Sequence, residues 1–113
     1  MFALKNIIVL MALMSVVYGG FTLYEHEGYK GAQAEIAFSS GCSNEIADRF
    51  NDRAKSISTA GRCVRLCEHR NCQGRCVKVA PDCEALQGCC GFHRNLGWDN
   101  CDMIRKISSS SPC

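Results

Sequence analysis

FTLYEHEGYKGAQAEI, residues Phe21 to Ile36, returns as VRLCEHRNCQGRCVKV, residues Val64 to Val79, at a constant offset of 43 positions. Leu23 matches Leu66, Glu25 matches Glu68, His26 matches His69 and Gly31 matches Gly74. Each copy opens on an apolar alternation, Phe21 and Leu23 or Val64 and Leu66, the period-two signature of a half-buried strand. A turn follows at Glu27-Gly28 or Arg70-Asn71. Gly31 and Gly74 then permit a backbone conformation or close approach that a Cβ would hinder. A second strand carries Ala34 and Ile36, or Val77 and Val79.

Downstream, Phe50 to Ser58 (FNDRAKSIS) matches Asn100 to Ser108 (NCDMIRKIS) at an offset of 50. The extra seven residues then fall between Pro81 and Asn95, a stretch that holds Cys83, Cys89 and Cys90 and is expected to be pinned by disulfides. Asn44 to Phe50 has room for one helical turn, and no segment carries a long apolar period of 3.6. The chain reads as two similar four-strand units, hence an all-β sandwich.

A length of 113 residues limits the chain to one domain. A formal charge of +2, from 13 basic and 11 acidic residues, excludes a nucleic-acid arm, an acidic tail and a polybasic membrane surface. Lys5, the apolar run Ile7 to Val17 and the small residues Gly19 and Gly20 read as a signal peptide over residues 1–19, with cleavage after Gly20 as the other option. That run is too short to span a membrane, so no stable membrane insertion is expected. Residues 20–113 form the expected single domain, motif one over 21–60 and motif two over 61–113, in a secreted, extracellular protein.

Ten cysteines, at 42, 63, 67, 72, 76, 83, 89, 90, 101 and 113, imply five bridges in the oxidising secretory pathway. Zinc held by thiolates with His26, His69 or His93 is the competing reading, set aside because the spacing departs from paired C-x2-C knuckles. An even cysteine count leaves no obvious free thiolate for a Cys/His nucleophile, and G-x-S-x-G, H-E-x-x-H and Gly-rich phosphate loops are all missing. The chain reads as a non-enzyme. Tyr24, Tyr29, Phe38, Phe50, Phe92 and Trp98 are expected in the core. His26 and His69 are expected as exposed turn residues. Arg62, Arg65, Arg70, Arg75 and Lys78 give motif two a basic cast, with eight basic and five acidic residues after Ala60 against four and six from Phe21 to Ala60.

The aromatic-Glu pair, the turn, the aromatic and Gly, and the later Asn-Asp-Arg with a Ser-Ile strand resemble the βγ-crystallin Greek-key motif. Tyr24, Glu25, Tyr29 and Gly31, then Phe50-Asn51-Asp52-Arg53, carry the likeness in motif one. Motif two keeps Leu66, Glu68, Gly74 and Leu96-Gly97-Trp98, and puts Cys67 and Cys72 in place of the two aromatics. The resemblance implies two Greek-key sheets in one disulfide-stapled βγ-crystallin-like β-sandwich, each motif lending a strand to the other's sheet. It also implies that Cys67 and Cys72 replace an aromatic clasp as a bridge. Cys63 with Cys76 is a pairing that can coexist with it, and a reach from Cys67 or Cys72 to Cys83, Cys89 or Cys90 is one that cannot.

Many members of that family bind calcium at the arches, through Asn/Asp-Asn/Asp-x-x-Ser/Thr-Ser and a backbone carbonyl of the Glu-containing hairpin. Carried over, the first arch offers Asn51, Asp52 and Ser56, with Lys55 where a ligating hydroxyl belongs. The second, anchored on Ile107-Ser108, runs from Cys101 and Asp102 to Arg105 and Lys106, and an anchor on Trp98 starts instead at Asp99-Asn100. An ammonium or guanidinium supplies no oxygen to Ca2+. No cofactor is expected beyond weak calcium. Two functions follow: a stable extracellular structural or interaction module, or a host-defence or toxin-like protein that binds microbial surfaces or anionic glycans. The partner is not legible.

Overall fold

A computed structural model describes residues 19–83, 88–98 and 101–113. Residues 1–18 of the expected signal peptide lie outside them, as do Asp99 and Asn100. Strand β1 (Gly20–His26) buries Phe21 and Leu23 and pairs antiparallel with β2 (Lys30–Ala37), Phe21 facing Ile36 and Leu23 facing Ala34. The short strand β3 (Ser56–Ser58) lies along the other edge of β1, giving the order β2-β1-β3. Motif two repeats the hairpin as β4 (Val64–His69) and β5 (Gln73–Val79). Strand β7 (Ser109–Pro112) runs antiparallel to β4, and β6 (Cys89–Cys90) runs parallel to β5, for the order β6-β5-β4-β7. The inward residues of both sheets, with Ile46, Phe50, Leu96, Met103 and Ile107, form one core. A five-residue helix, α1 (Glu45–Arg49), supplies Ile46 and meets the single helical turn expected there.

Both hairpins are built alike, down to their irregularities. The register slips between Tyr24 and His26 in one and between Cys67 and His69 in the other. Gly31 and Gly74 sit at φ 83° and 77°. The histidine ring packs on each glycine: a Cβ on Gly31 would lie 2.4 Å from His26 Cδ2, and one on Gly74 would lie 2.5 Å from His69 Cδ2. The Ser56 hydroxyl donates to the His26 carbonyl at 2.7 Å and accepts from the Tyr29 N–H at 3.1 Å. Ser109 does the same between the His69 carbonyl and the Cys72 N–H. Each hairpin tip is thus fastened to the last strand of its own motif.

Four expectations need correction. The repeat offset in the second half is 53, not 50: Tyr24 pairs with Ser56 and Cys67 with Ser109, so Ser56 corresponds to Ser109 and Ile57 to Ser110. The last strand therefore begins at Ser109, beyond Ile107-Ser108. The strand exchange survives only as backbone bonds. Ser43 bridges Ser110, and the N–H groups of Ile57 and Leu96 donate to the carbonyls of His93 and Lys55 at 3.0 and 2.8 Å. Loop-forming residues, Ser39-Ser40-Gly41 and Gly97, bound both exchanged segments and stop them short of full strands. The first sheet accordingly has three strands instead of four.

Of the six aromatics placed in the core, Phe50 is buried and Phe38 packs partly against it. Tyr29, Phe92 and Trp98 are exposed. Outward strand positions and loop tips explain the difference: Tyr24 and Tyr29 clasp edge to face on the outer surface, centroids 5.7 Å apart.

All ten cysteines are bridged, but neither Cys67–Cys72 nor Cys63–Cys76 forms. The bridges are Cys42–Cys72, Cys63–Cys113, Cys67–Cys76, Cys83–Cys89 and Cys90–Cys101. Register decides them. Cys67 faces Cys76 directly across the β4–β5 ladder, with Cα atoms 4.1 Å apart. Two tyrosine rings span a folded hairpin tip that two single-carbon thiol side chains do not, because a disulfide needs Cα atoms at roughly 4–7 Å in a fitting orientation. Cys72, at φ 57° in the turn, reaches Cys42 of motif one. Cys63 and Cys113 flank the facing pair Val64 and Pro112 and close the open ends of β4 and β7. Cys83–Cys89 and Cys90–Cys101 pin the insertion, as expected.

Candidate calcium arches

The segments leading into β3 and β7 are pseudo-symmetric. Asp52 N–H donates to the Ile107 carbonyl at 3.1 Å, and Arg105 N–H donates to the Ala54 carbonyl at 2.9 Å. Lys55 N–H donates to Tyr24 and Ser108 N–H to Cys67, at 2.8 and 2.9 Å. Asp52 and Arg105 both adopt left-handed backbone, φ 56° and 54°. Asn51-Asp52-Arg53-Ala54-Lys55-Ser56 therefore corresponds to Ile104-Arg105-Lys106-Ile107-Ser108-Ser109, and the second arch starts three residues after the Cys101 of one sequence anchor and five after the Asp99 of the other.

Crossed backbone bonds tie the two arches together, and on one side they bring Asn51 and Asp52 against the other arch's fifth residue, Ser108. Ser108 Oγ, at a buried residue, donates to Asn51 Oδ1 at 2.6 Å and lies 3.5 Å from Asp52 Oδ1. These three line an open recess of about 470 Å³ together with Glu68 of the second hairpin. In donor type this half fits a hard cation, since carboxylate, amide and hydroxyl oxygens converge. Arg70, Arg105 and Lys106 line the same recess and oppose it. Arg70 is held by Asp48 at 3.2 Å and Lys106 by Asp102 at 3.4 Å. Glu68 is drawn to Arg75 at 3.3 Å.

The other half does not fit. Its fifth-position residue is Lys55, and the residues that correspond to Asn51 and Asp52 are Ile104 and Arg105. On that side Arg53 donates to Glu25 Oε2 through Nη2 at 2.7 Å and Nε at 3.3 Å. This guanidinium holds the Glu25 carboxyl below the usual carboxylate range, with lesser help from the charges of His26 and Arg105 against the opposing effect of desolvation. A built-in cation stands opposite the hairpin carboxylate.

Asn51 and Asp52 lie together at the recess. Ser56 leaves them for the hairpin carbonyl of His26. The residue that completes their set is Ser108, which the offset of 50 had aligned with Ser58. An apolar match, Ile57 with Ile107, drew that alignment, although the true partners are Ile57 with Ser110 and Ala54 with Ile107. The signal that reaches the correct register is the serine run Ser108 to Ser111, which has to place a hydroxyl under the hairpin carbonyl. His93, uninformative in the sequence, sets its Nε2 3.2 Å from the carbonyls of Ala80 and Cys90.

Two hairpins of this shape, each closed by a serine and coupled through crossed arches, define a βγ-crystallin fold. Solved structures agree. A βγ-crystallin from Ciona intestinalis superposes with a TM-score of 0.61 at 21% identity over 84% of this chain and 100% of its own. An archaeal βγ-crystallin gives 0.59 at 20% identity over 85% and 99%. A double mutant of a Clostridium beijerinckii βγ-crystallin domain gives 0.52 at 22% identity over 81% and 93%. No protein-family model matches the sequence, and no curated protein matches it. At these identities the likeness is one of fold.

Proposed function

We propose that the chain is a secreted, non-catalytic extracellular module, structural or interacting, whose stability comes from disulfides and not from calcium. One observation carries the reading: all ten cysteines are used in five bridges, including one between the motifs and one across the ends of β4 and β7. Such a framework forms and persists in oxidising compartments. It also leaves no thiolate for His69 or His93 to activate. The complementary decay of the two arches supports the second half of the reading.

The remaining oxygen set at Asn51, Asp52 and Ser108 is assigned a weak calcium site, no tighter than about 10⁻⁴ M, the extracellular class. Expression of the full chain in secreting cells is the test. The expected product is protein in the medium with a new N-terminus at Gly20 or Phe21 and no free thiols. Its melting temperature should fall steeply with reductant and stay within a degree or two with chelator. Retention inside the cell with reduced cysteines would overturn secretion, and a micromolar calcium site by calorimetry would overturn the disulfide-only account.

A further inference from the structure

Phe92 and Trp98 are 41% and 54% exposed, yet their rings pack against each other, centroids 4.9 Å apart and planes tilted by 50°. The backbone that carries them is fixed. Cys90–Cys101 brackets the segment, Leu96 between them is fully buried, and His93 is held at two carbonyls. Trp98 N–H donates to the Asn95 carbonyl at 3.1 Å, and the Trp98 carbonyl accepts from Cys101 and Asp102, both at 2.8 Å. A loop held this firmly has already lost the freedom that binding would otherwise remove.

We propose that the Phe92–Trp98 pair is a binding platform for a neutral, β-linked hexose polymer of the glucan or chitin type. Such a sugar keeps its hydroxyls equatorial and presents flat C–H faces, which dock on exposed rings. Size argues for it: two aromatic side chains about half exposed offer about 200 Å², whereas a stable protein interface takes about 800 Å² from each partner. Composition argues for it too. Among the described residues the exposed large apolar side chains are Tyr29, Phe92 and Trp98, all aromatic and none aliphatic. A lipid-docking face backs its apolar residues with a border rich in Lys and Arg, whereas residues 92–98 carry Arg94 alone. Exposed Arg94 and Gly97 and the half-buried Asn95 flank the rings with polar groups for the sugar's hydroxyls. The proposal rests on the extracellular reading only for where such a polymer is met.

Trp98 is the sole tryptophan, so its emission reports directly on the platform. The purified, oxidised protein is titrated with hexasaccharides of β-1,4-linked N-acetylglucosamine, β-1,4-linked glucose and β-1,3-linked glucose. At least one should give a saturable blue shift. Phe92→Ala should weaken that binding at least tenfold with the circular dichroism unchanged, Phe92→Tyr should retain it, and Tyr29→Ala on the first hairpin should leave it alone. No shift with any of the three sugars, equal affinity in Phe92→Ala, or a shift with phosphatidylcholine–phosphatidylglycerol vesicles and none with sugars would each overturn the proposal. Because the assay uses purified protein, its failure is separate from any failure of secretion.

Discussion

Lys55 and Ser108 hold equivalent positions and act in opposite directions. Ser108 completes Asn51 and Asp52, whereas Lys55, at the equivalent position, follows Ala54, whose carbonyl accepts from the Arg105 N–H, and the residues equivalent to Asn51 and Asp52 are Ile104 and Arg105. Lys55→Ser alone therefore creates a hydroxyl with no oxygens opposite it and should leave calcium affinity unchanged by calorimetry. Lys55→Ser with Ile104→Asn and Arg105→Asp should add a second site. An affinity gain from the single substitution would show that the arches do not cross. Glu25 makes a second residue-scale test. Its carboxyl is held low in the folded state by the Arg53 hydrogen bond, so its contribution is present above the unfolded value and is lost as pH falls through the lower, folded value. Arg53→Met should move the Glu25 carboxyl back up toward the ordinary carboxylate range, read by the carbon chemical shift of its side chain, and remove its share of the acid sensitivity. Solvent screening at this exposed pair keeps the effect small.

At the scale of the element, the hairpins were legible because their signals are local. Leu23, Leu66, Gly31 and Gly74 state strand period and tip geometry within sixteen residues, and the structure follows them. Gly31→Ala should cost about 1–2 kcal/mol from its left-handed backbone alone, and more because the new Cβ would meet the His26 ring. Adding His26→Ala should recover only the steric part, as seen in denaturation midpoints. Full recovery would mean that the backbone conformation is not the constraint. The final strand was not legible. Its inward position opposite Leu66 is Ser110 where β3 has Ile57, so the hydrophobic pattern points three residues upstream to Ile107. Bridges and crossed arches were equally hidden, since both depend on which residues face each other across a ladder. That is a long-range register, and spacing along the chain does not encode it.

For the whole molecule, the bridges differ in what they close, and this ranks them. Cys63–Cys113 spans a separation of 50 residues, Cys42–Cys72 one of 30 and Cys83–Cys89 one of 6. If cross-links act mainly by restricting the unfolded chain, removal should cost about 4 kcal/mol for the first, about 3.5 for the second and about 2 for the third. Paired Cys→Ala variants, compared by urea midpoints at constant m, give the order directly. Cys42–Cys72 adds a local argument. Beside it, Asn44 and Asn71 exchange two amide hydrogen bonds of 2.8 and 2.7 Å, and Arg70 meets Asp48, so motif one is docked on the second hairpin by more than the bridge. Those contacts persist in Cys42→Ala/Cys72→Ala, and they keep its loss near the entropic figure instead of letting the motifs part. The same reasoning separates Cys63–Cys113, whose partners end β4 and β7 with only the strand ladder between them. Its removal should fray that edge first, with early amide exchange at Arg65 and Ser111 and slow exchange kept at Leu23 and Ile57. A Cys83/Cys89 variant that loses more stability than the Cys63/Cys113 variant would refute the chain-entropy account and place the stabilisation in the folded insertion.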